Sequence, residues 1–370
     1  MTVPPSFASP AEAGLSQIRL AEAAGIIQAE VDAGRMGAAA ILVARHGRIG
    51  LHRGFGRMSR GPGAAAVQPD SVFLLASITK PVTACAVMLL VERGLVSLDD
   101  PVSRYVPEFH GGDRSRVRVR DLLAHTSGLP DMLPENAELR RAHAQLAEFV
   151  RRSCSTPLLF PPRTKFQYQS MGILLAGEIV ERVAGTPLRD FLKTEIFAPS
   201  GMKDSSLGLG GRRVDDTVWC PGPPGATPEA LKFYGWSTEY WRDLGAPWGG
   251  MHSTTSDLAI FLQTFLDGGV HRGRRLLKAE TAAAMISDQN GSLGAPWGLG
   301  WGLARSRAWN YFGDRVSPSA FGHVGATGTA AWADPETQLL CVVLTNRPVE
   351  EDKGDLLRRV SNAVAGAVAR

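Results

Sequence analysis

The sequence has few of the features that mark zinc-binding, disulfide-stabilised or membrane-spanning proteins. Its 370 residues include only four cysteines, Cys85, Cys154, Cys220 and Cys341. None of them has CxxC or Cys/His ligand spacing, which argues against a zinc site. Cys85 and Cys341 lie in apolar runs and are expected to be buried thiols, so no disulfide framework is indicated. No apolar run reaches the length of a membrane span.

The chain also has little excess of positive over negative charge. The formal net charge is +4 at pH 7 and the basic residues are scattered, so a nucleic-acid partner has little support. A signal peptide has a basic stretch followed by an apolar core, and residues 1–20 contain no such pattern. We therefore expect a cytoplasmic protein without a nucleic-acid or membrane partner, and the sequence leaves its oligomeric state open.

Hydrophobic periodicity predicts strands at both ends of the chain and helices between them. The predicted strands are 38–45, 49–55, 327–333 and 339–346. The predicted helices are 10–34, 77–93, 172–184, a helix with Thr186 as N-cap and Pro187 at its first position, 254–265 and 355–368. Residues 205–250 are rich in Gly, Pro and Trp and are predicted to be irregular. Because no βαβ pattern repeats, a doubly wound parallel sheet is not expected.

This order of elements predicts an α+β fold. An antiparallel sheet would be flanked by N- and C-terminal helices, with a mostly helical inserted domain. The expected division assigns 1–75 and 251–370 to a discontinuous sheet domain and 76–250 to the helical domain. We expect the active site in the cleft where the two meet, a common location for ligand sites.

The sequence Ser-Ile-Thr-Lys at 77–80 opens the most apolar predicted helix. At the start of a helix, positions i and i+3 share a face, so the Lys80 amine can reach the Ser77 hydroxyl. A serine hydroxyl is a weak nucleophile at neutral pH and needs such a base. The pattern recurs at Ser200 and Lys203, but in a turn with no apolar helix behind it. The alternative for Ser77 is a simple N-cap.

Two further segments offer candidate groups. Tyr168 precedes a predicted helix and would serve as a general base or proton shuttle if a nearby cation lowers its pKa. The alternative is a packed aromatic ring. Residues 323–328, His-Val-Gly-Ala-Thr-Gly, begin a C-terminal strand. An amide of this strand would join the Ser77 amide in an oxyanion hole, and the alternative is a glycine-rich strand entry.

Together these segments resemble the β-lactamase-like serine hydrolase superfamily, which includes class C β-lactamases, penicillin-binding DD-peptidases and β-lactamase-like carboxylesterases. Segments 121–130, 249–254, 298–302 and 344–347 add to the resemblance, which runs from about residue 12 to the end. It implies that Ser77 is acylated and that Lys80 and Tyr168 move protons. It also implies that the amides of Ser77 and Ala326 form the oxyanion hole. No metal or organic cofactor is implied.

The chain departs from the lactamase pattern at two places. Where the pattern has Tyr-x-Asn, the third residue here is Ser170, and Lys-Thr-Gly is replaced by His323, Val324 and Gly325. In lactamase-like enzymes that Asn binds the substrate's amide side chain, and the Lys and Thr bind its carboxylate. Ser170 has no amide, Val324 has no hydroxyl, and His323 is expected to be only partly charged near neutral pH. The expected substrate-binding residues are therefore Ser170, His323, Val324 and Gly325.

We therefore expect a serine carboxylesterase or acyltransferase that acts on small, short-chain neutral esters. The alternatives are a β-lactamase or DD-peptidase and, from another class, a non-catalytic binding protein on the same scaffold. The joint presence of Ser77, Lys80 and Tyr168 argues against the binding protein. An aromatic-rich stretch would form either a wall of the acyl pocket or a structural cluster. Its members are Phe233, Tyr234, Trp236, Tyr240, Trp241 and Trp248.

Overall fold

The computed structural model describes residues 6–306 and 311–368. The strands are β1 (Ser6–Phe7), β2 (Ala38–Arg45), β3 (Arg48–Gly56), β4 (Phe73–Leu74), β5 (Ser206–Leu207), β6 (Met251–Ser253), β7 (Val270–His271), β8 (Arg274–Arg275), β9 (Gly302–Leu303), β10 (Phe321–Gly325), β11 (Thr329–Asp334) and β12 (Leu339–Thr345). The main sheet has the order β1-β3-β2-β12-β11-β10-β9. It is antiparallel except for the β1–β3 pair. The sheet is therefore built from both ends of the chain, as predicted.

The helices lie between and beside these strands. They are α1 (Gln17–Asp32), α2 (Thr79–Glu92), α3 (Val119–Leu123), α4 (Asn136–Arg141), α5 (Leu146–Ser155), α6 (Met171–Ala184), α7 (Leu188–Leu192), α8 (Ala198–Ser200), α9 (Pro228–Tyr234), α10 (Glu239–Asp243), α11 (Thr255–Leu266), α12 (Ala279–Met285) and α13 (Asp355–Ala365). A π-helical turn, Lys193–Phe197, joins α7 to α8. The chain between β4 and β6 is mostly helical, and the mixed fold matches the predicted class.

The central strands β2 and β12 are buried on both faces, which explains their nearly continuous apolar sequences. Successive side chains of a strand point to opposite faces. On β2, Ile41 and Val43 pack in the layer of α1 and α13, whereas Leu42 and Ala44 pack in the layer that holds α2 and α11. The sheet thus separates two apolar layers, and α2 belongs to the one that contains the inserted helices.

Several predicted boundaries change. Helix α1 begins at Gln17 rather than near residue 10, because the Ser16 side chain caps it by accepting a hydrogen bond from Arg19 N. The N-cap predicted at Thr186 is wrong, since α7 begins at Leu188 and Pro187 is its N-cap. The Ser77 end of α2 starts as a 3-10 turn before the α-helix proper.

The segment expected to be irregular, 205–250, contains β5, α9 and α10. The two helices start where Thr227 and Thr238 accept hydrogen bonds from backbone amides of the first turn, an N-capping arrangement. The predicted domain boundaries at residues 75 and 250 stay a prediction. Among the described residues, no helix combines the length and apolar character needed to cross a membrane.

Candidate active site

Ser77 lies in the 3-10 turn, Ala76–Ile78, that leads into α2. Ala76 has a φ of 49°, a left-handed conformation that is uncommon for a non-glycine residue. The Thr79 hydroxyl fixes this turn, because it donates to Ala76 O at 2.7 Å and accepts from Met251 N at 3.0 Å. The turn leaves Ser77 partly exposed at the start of a buried helix.

Lys80 is fully buried one turn along the same helix. Its Nζ donates to Ser77 Oγ at 2.8 Å and to Trp248 O at 3.0 Å. Burial lowers the pKa of Lys80 to about 7, against a smaller opposing effect of Asp131. A large fraction of this amine is therefore neutral near pH 7, the form that can accept a proton from Ser77.

Tyr168 covers the other side of this pair, with the centre of its ring 4.7 Å from Lys80 Nζ. Burial raises the pKa of Tyr168 well above its usual value, and a hydrogen bond with Ser77 opposes the rise. The condition set for a base role, a pKa lowered by a nearby cation, is therefore not met. A neutral phenol can still relay a proton between oxygen and nitrogen atoms, which is the shuttle alternative.

Segment 121–130, singled out in the sequence, holds the loop that carries Tyr168. His125 has a φ of 60°, and its Nδ1 accepts from Gln169 N at 3.3 Å while its carbonyl accepts from Gln167 N at 3.0 Å. Ser127 Oγ donates to Gln169 Oε1 at 2.7 Å. The two residues that flank Tyr168 are thus tied to one loop, which fixes the direction of its ring.

Strand β10 approaches the 3-10 turn so closely that only glycine fits at position 325. A Cβ there would lie 2.0 Å from Leu75 O. Two threonine hydroxyls hold the contact, since Thr329 Oγ1 donates to Leu75 O at 2.8 Å and Thr327 Oγ1 donates to Leu74 O at 2.9 Å. The small residues of 323–328 therefore allow backbone to meet backbone at this edge.

A cleft of about 490 Å³ opens at this junction. It is lined by the candidate residues Ser77, Tyr168, Ser170, Val324, Gly325 and Ala326, and by Asp131, Met132, Pro223, Pro224, Trp236, Tyr311, Pro348, Val349, Glu350 and Lys353. Ala326 is exposed, and its carbonyl accepts from Val349 N at 3.1 Å. The cleft thus brings Ser77 and Ala326 together. Their service as an oxyanion hole stays a prediction.

His323 lies behind the cleft rather than along its wall. The side chain is fully buried, and its ring centre is 6.0 Å from that of Tyr168 and 5.8 Å from that of Trp297. Burial, reinforced by Lys80, lowers the pKa of His323 to about 3. The expectation of a partly charged His323 near neutral pH is therefore wrong. Val324 lines the cleft and presents no hydroxyl there.

Ser170 reaches a residue that sequence reasoning missed. Its Oγ donates to Asp131 Oδ1 at 2.6 Å, and its amide donates to Asp131 O at 3.2 Å. Asp131 is half-buried and lines the cleft. The only signal in the sequence is its place directly after segment 121–130, because its partner is 39 residues away.

The second Ser-x-x-Lys sequence forms no such pair. Ser200 is buried at the end of α8. Lys203 is 84% exposed, with its Nζ 3.9 Å from Asp204 Oδ2. The geometry therefore separates the two matches, as the sequence context suggested.

The aromatic stretch is divided between the cleft and the core. Trp236 lines the cleft. Trp241 and Trp248 are buried in the core layer that contains α2. Tyr240 donates its hydroxyl to Ala144 O at 2.9 Å, and Phe233 is about half exposed. Of the aromatic stretch, Trp236 is therefore the residue that contributes to the wall of the cleft.

Comparison with known proteins agrees with this architecture. A family model described as Beta-lactamase matches residues 23–365. A protein of Salmonella gallinarum, provisionally named D-alanyl-D-alanine carboxypeptidase, is 28% identical, with 93% of this chain and 86% of the relative covered. A penicillin-binding protein homologue from Caulobacter crescentus has a TM-score of 0.79 and 23% identity over 95% of this chain and 98% of its own. A family VIII carboxylesterase has a TM-score of 0.74 and 22% identity over the same shares.

Proposed function

The chain belongs to the beta-lactamase family, a family of serine hydrolases, and on that premise we propose that it is a carboxylesterase or acyltransferase. Its substrates would be short neutral esters, which form an acyl-enzyme on Ser77. The observation that carries the proposal is the 2.8 Å contact between Ser77 Oγ and a buried Lys80, in a cleft where Lys353, the one cationic residue among the described lining residues, is exposed to solvent.

In the acylation step, the Ser77 oxygen attacks the ester carbonyl and its proton passes to the neutral Lys80 amine. Negative charge develops on the carbonyl oxygen. The amides of Ser77 and Ala326 would stabilise it, with help from the N-terminus of α2. Because Trp248 O also accepts from Lys80, the amine keeps its direction after it gains the proton.

The leaving alkoxide then needs a proton as the carbon–oxygen bond breaks. Tyr168, neutral and packed against Lys80, would donate its own proton to the alkoxide and recover one from Lys80. In the second half of the reaction, water or an alcohol attacks the acyl carbon and gives up its proton through Tyr168 to Lys80. The bond between the acyl carbon and Ser77 Oγ then breaks, and Lys80 returns the proton to Ser77 Oγ. Transfer to water completes an esterase cycle, and transfer to an alcohol completes an acyltransferase cycle.

The cleft favours neutral substrates over carboxylates. A carboxylate that enters a partly desolvated site without a partner loses hydration energy that nothing replaces. At the positions where lactamase-like enzymes hold it, Val324 offers no hydroxyl and the neutral His323 is buried out of reach. Asp131 adds a carboxylate of the same sign.

The competing proposal is a DD-peptidase, which the provisional name of the Salmonella relative suggests for that protein. Its substrates, like penicillins and cephalosporins, bring a carboxylate into the site. The two functions therefore differ in the charge that the cleft must hold.

Steady-state kinetics on p-nitrophenyl butyrate and on a chromogenic cephalosporin, with one enzyme preparation, tests the proposal. We expect kcat/KM for the ester to exceed that for the cephalosporin by about two orders of magnitude or more. Ser77→Ala should remove both activities. Comparable specificity constants in the unmutated enzyme would overturn the esterase proposal and favour the competing one.

A further inference from the structure

The carboxylate at the wall of the cleft has a consequence for the chemistry of the substrate. We propose that Asp131, oriented by Ser170, forms a subsite for a positively charged amino group on the acyl part of the substrate. This inference rests on the proposed function and narrows it, from short esters in general to esters of amino-substituted acids.

Asp131 is held in a fixed position. Two hydrogen bonds tie it to Ser170, one through its side chain at 2.6 Å and one through its backbone carbonyl at 3.2 Å. Ser170 directly precedes α6, a buried helix, so these hydrogen bonds anchor the Asp131 carboxylate to a well-packed element of the fold. A preorganised carboxylate loses little entropy when it binds a ligand.

The Asp131 carboxylate forms no salt bridge with the residues that the structure describes. Within 6–306 and 311–368, no arginine, lysine or histidine side chain lies within ion-pair distance of Asp131. Oδ1 accepts the Ser170 hydroxyl, and Oδ2 has no hydrogen-bond partner among those residues. Lys80 acts on Asp131 electrostatically, but its amine is directed to Ser77 and Trp248.

The other charged residues of the cleft differ from Asp131 in their exposure to solvent. Glu350 and Lys353 also line the cleft, but both are exposed, where water weakens their effect. Asp131 is half-buried and shares the cleft with apolar groups such as Trp236 and Val324. An ammonium group beside a partly desolvated carboxylate forms a charge-assisted hydrogen bond, stronger than one between neutral groups.

Asp131 lines the same cleft as Ser77 and is near enough to act electrostatically on Lys80, the hydrogen-bond partner of Ser77. The substrates that fit are esters whose acyl chain carries a primary amine. An anionic acyl group, such as that of a glutarate monoester, would meet Asp131 with the same sign of charge and should be a poor substrate.

Paired substrates test this directly. The phenyl esters of glycine, β-alanine and 4-aminobutyrate are compared with those of propionate, butyrate and pentanoate, in which a methyl group replaces the ammonium. We expect kcat/KM for at least one amino ester to exceed that of its partner by about tenfold or more, after correction for the spontaneous rates. Equal or lower values along the whole series would overturn the inference.

Two variants assign the preference to Asp131. Asp131→Asn should reduce the ratio of amino ester to partner to about one, whatever its effect on overall rate. Glu350→Gln removes the same charge from the rim and should leave the ratio within about twofold. Persistence of the full ratio in Asp131→Asn would contradict the assignment.

A measurement on the unmutated enzyme guards against a variant that fails to fold. Butylammonium should inhibit hydrolysis of a neutral ester competitively and more strongly than methyl propyl ether, a neutral molecule of similar size with no hydroxyl to accept the acyl group. Equal inhibition by the two would contradict the subsite. If neutral esters are hydrolysed through Ser77 but neither preference is seen, only this inference fails. If neither series is hydrolysed, the proposed function fails with it.

Discussion

Gly325 and Leu75 meet backbone to backbone, so closely that a Cβ on Gly325 would lie 2.0 Å from Leu75 O. Leu75 is two residues before Ser77, and Gly325 is followed by Ala326. The contact therefore sets the distance between the two parts of the chain whose amides are proposed to form the oxyanion hole. Its geometry explains why small residues occupy this end of β10.

Gly325→Ala should therefore damage both the fold and the activity. The new methyl group must displace backbone, and overpacking of this kind typically costs about 1–3 kcal/mol. We expect a lower melting temperature and a loss of ester hydrolysis larger than the loss of folded protein explains. Gly249→Ala is the matched control, since its Cβ would come no closer than 3.8 Å to Ala76. Equal behaviour of the two variants would refute the steric argument.

Tyr168→Phe removes only the hydroxyl of the proposed proton shuttle. We expect kcat for an alkyl ester such as ethyl butyrate, whose alkoxide must be protonated as it leaves, to fall by about 100-fold or more, with a much smaller change in KM, because proton transfer is needed mainly in the transition state. The packing of the ring against His125 should persist, so the melting temperature should change little. An unchanged kcat would reduce Tyr168 to a packing residue.

The pH dependence of kcat/KM should report the ionisation of Lys80. Its pKa is lowered to about 7, and the neutral amine is the active form, so activity should rise with pH through about 7 and then level off. His125 and His323 have pKa values well below this range, and that of Tyr168 is well above it. A profile that is flat between pH 5 and 9 would contradict the role of Lys80.

Asp131 provides a test of that assignment. The negative charge of Asp131 raises the pKa of Lys80, so its removal should favour the neutral amine. In Asp131→Asn, the rising limb of the kcat/KM profile for a neutral ester should move to lower pH. A shift to higher pH would show that another group controls the limb.

Lys80→Met should abolish activity and increase the stability of the folded protein. The folded protein holds Lys80 with a pKa of about 7, below its ordinary value of 10.5. The penalty for burying the ammonium is therefore complete below pH 7 and disappears as pH rises toward 10.5. The variant should be inactive and more stable at pH 6, by on the order of a few kcal/mol, with a smaller advantage near pH 10. Thermal melts at both pH values measure this, and a less stable variant at pH 6 would contradict it.

Local sequence patterns were sufficient for features that depend on neighbours along the chain. Ser77 and Lys80 are three residues apart, so a helical reading alone predicted their contact. The apolar runs that form β2 and β12 were predicted for the same reason, since burial on both faces gives a nearly continuous apolar pattern. The short helices in 205–250 were missed despite N-capping threonines at 227 and 238, because the surrounding glycines and prolines suggested an irregular segment.

Features that depend on distant contacts could not be predicted in this way. The bond between Ser170 and Asp131 joins positions 39 residues apart, and neither position belongs to a periodic pattern that would connect them. The pKa values of His323 and Tyr168 depend on burial that the tertiary structure creates. The sequence therefore indicated which residues approach the site, while their ionisation and the charge of the cleft required the structure.

The most direct test of the account is the mass of the intact protein after brief exposure to p-nitrophenyl butyrate and rapid acid quenching, followed by peptide mapping. We expect the unmutated protein and Ser200→Ala to gain one butyryl group, about 70 Da, on the peptide that contains Ser77. Ser77→Ala should gain none. A butyryl group on the Ser200 peptide, or on Ser77→Ala in the same yield, would contradict the central claim that Ser77 is the nucleophile.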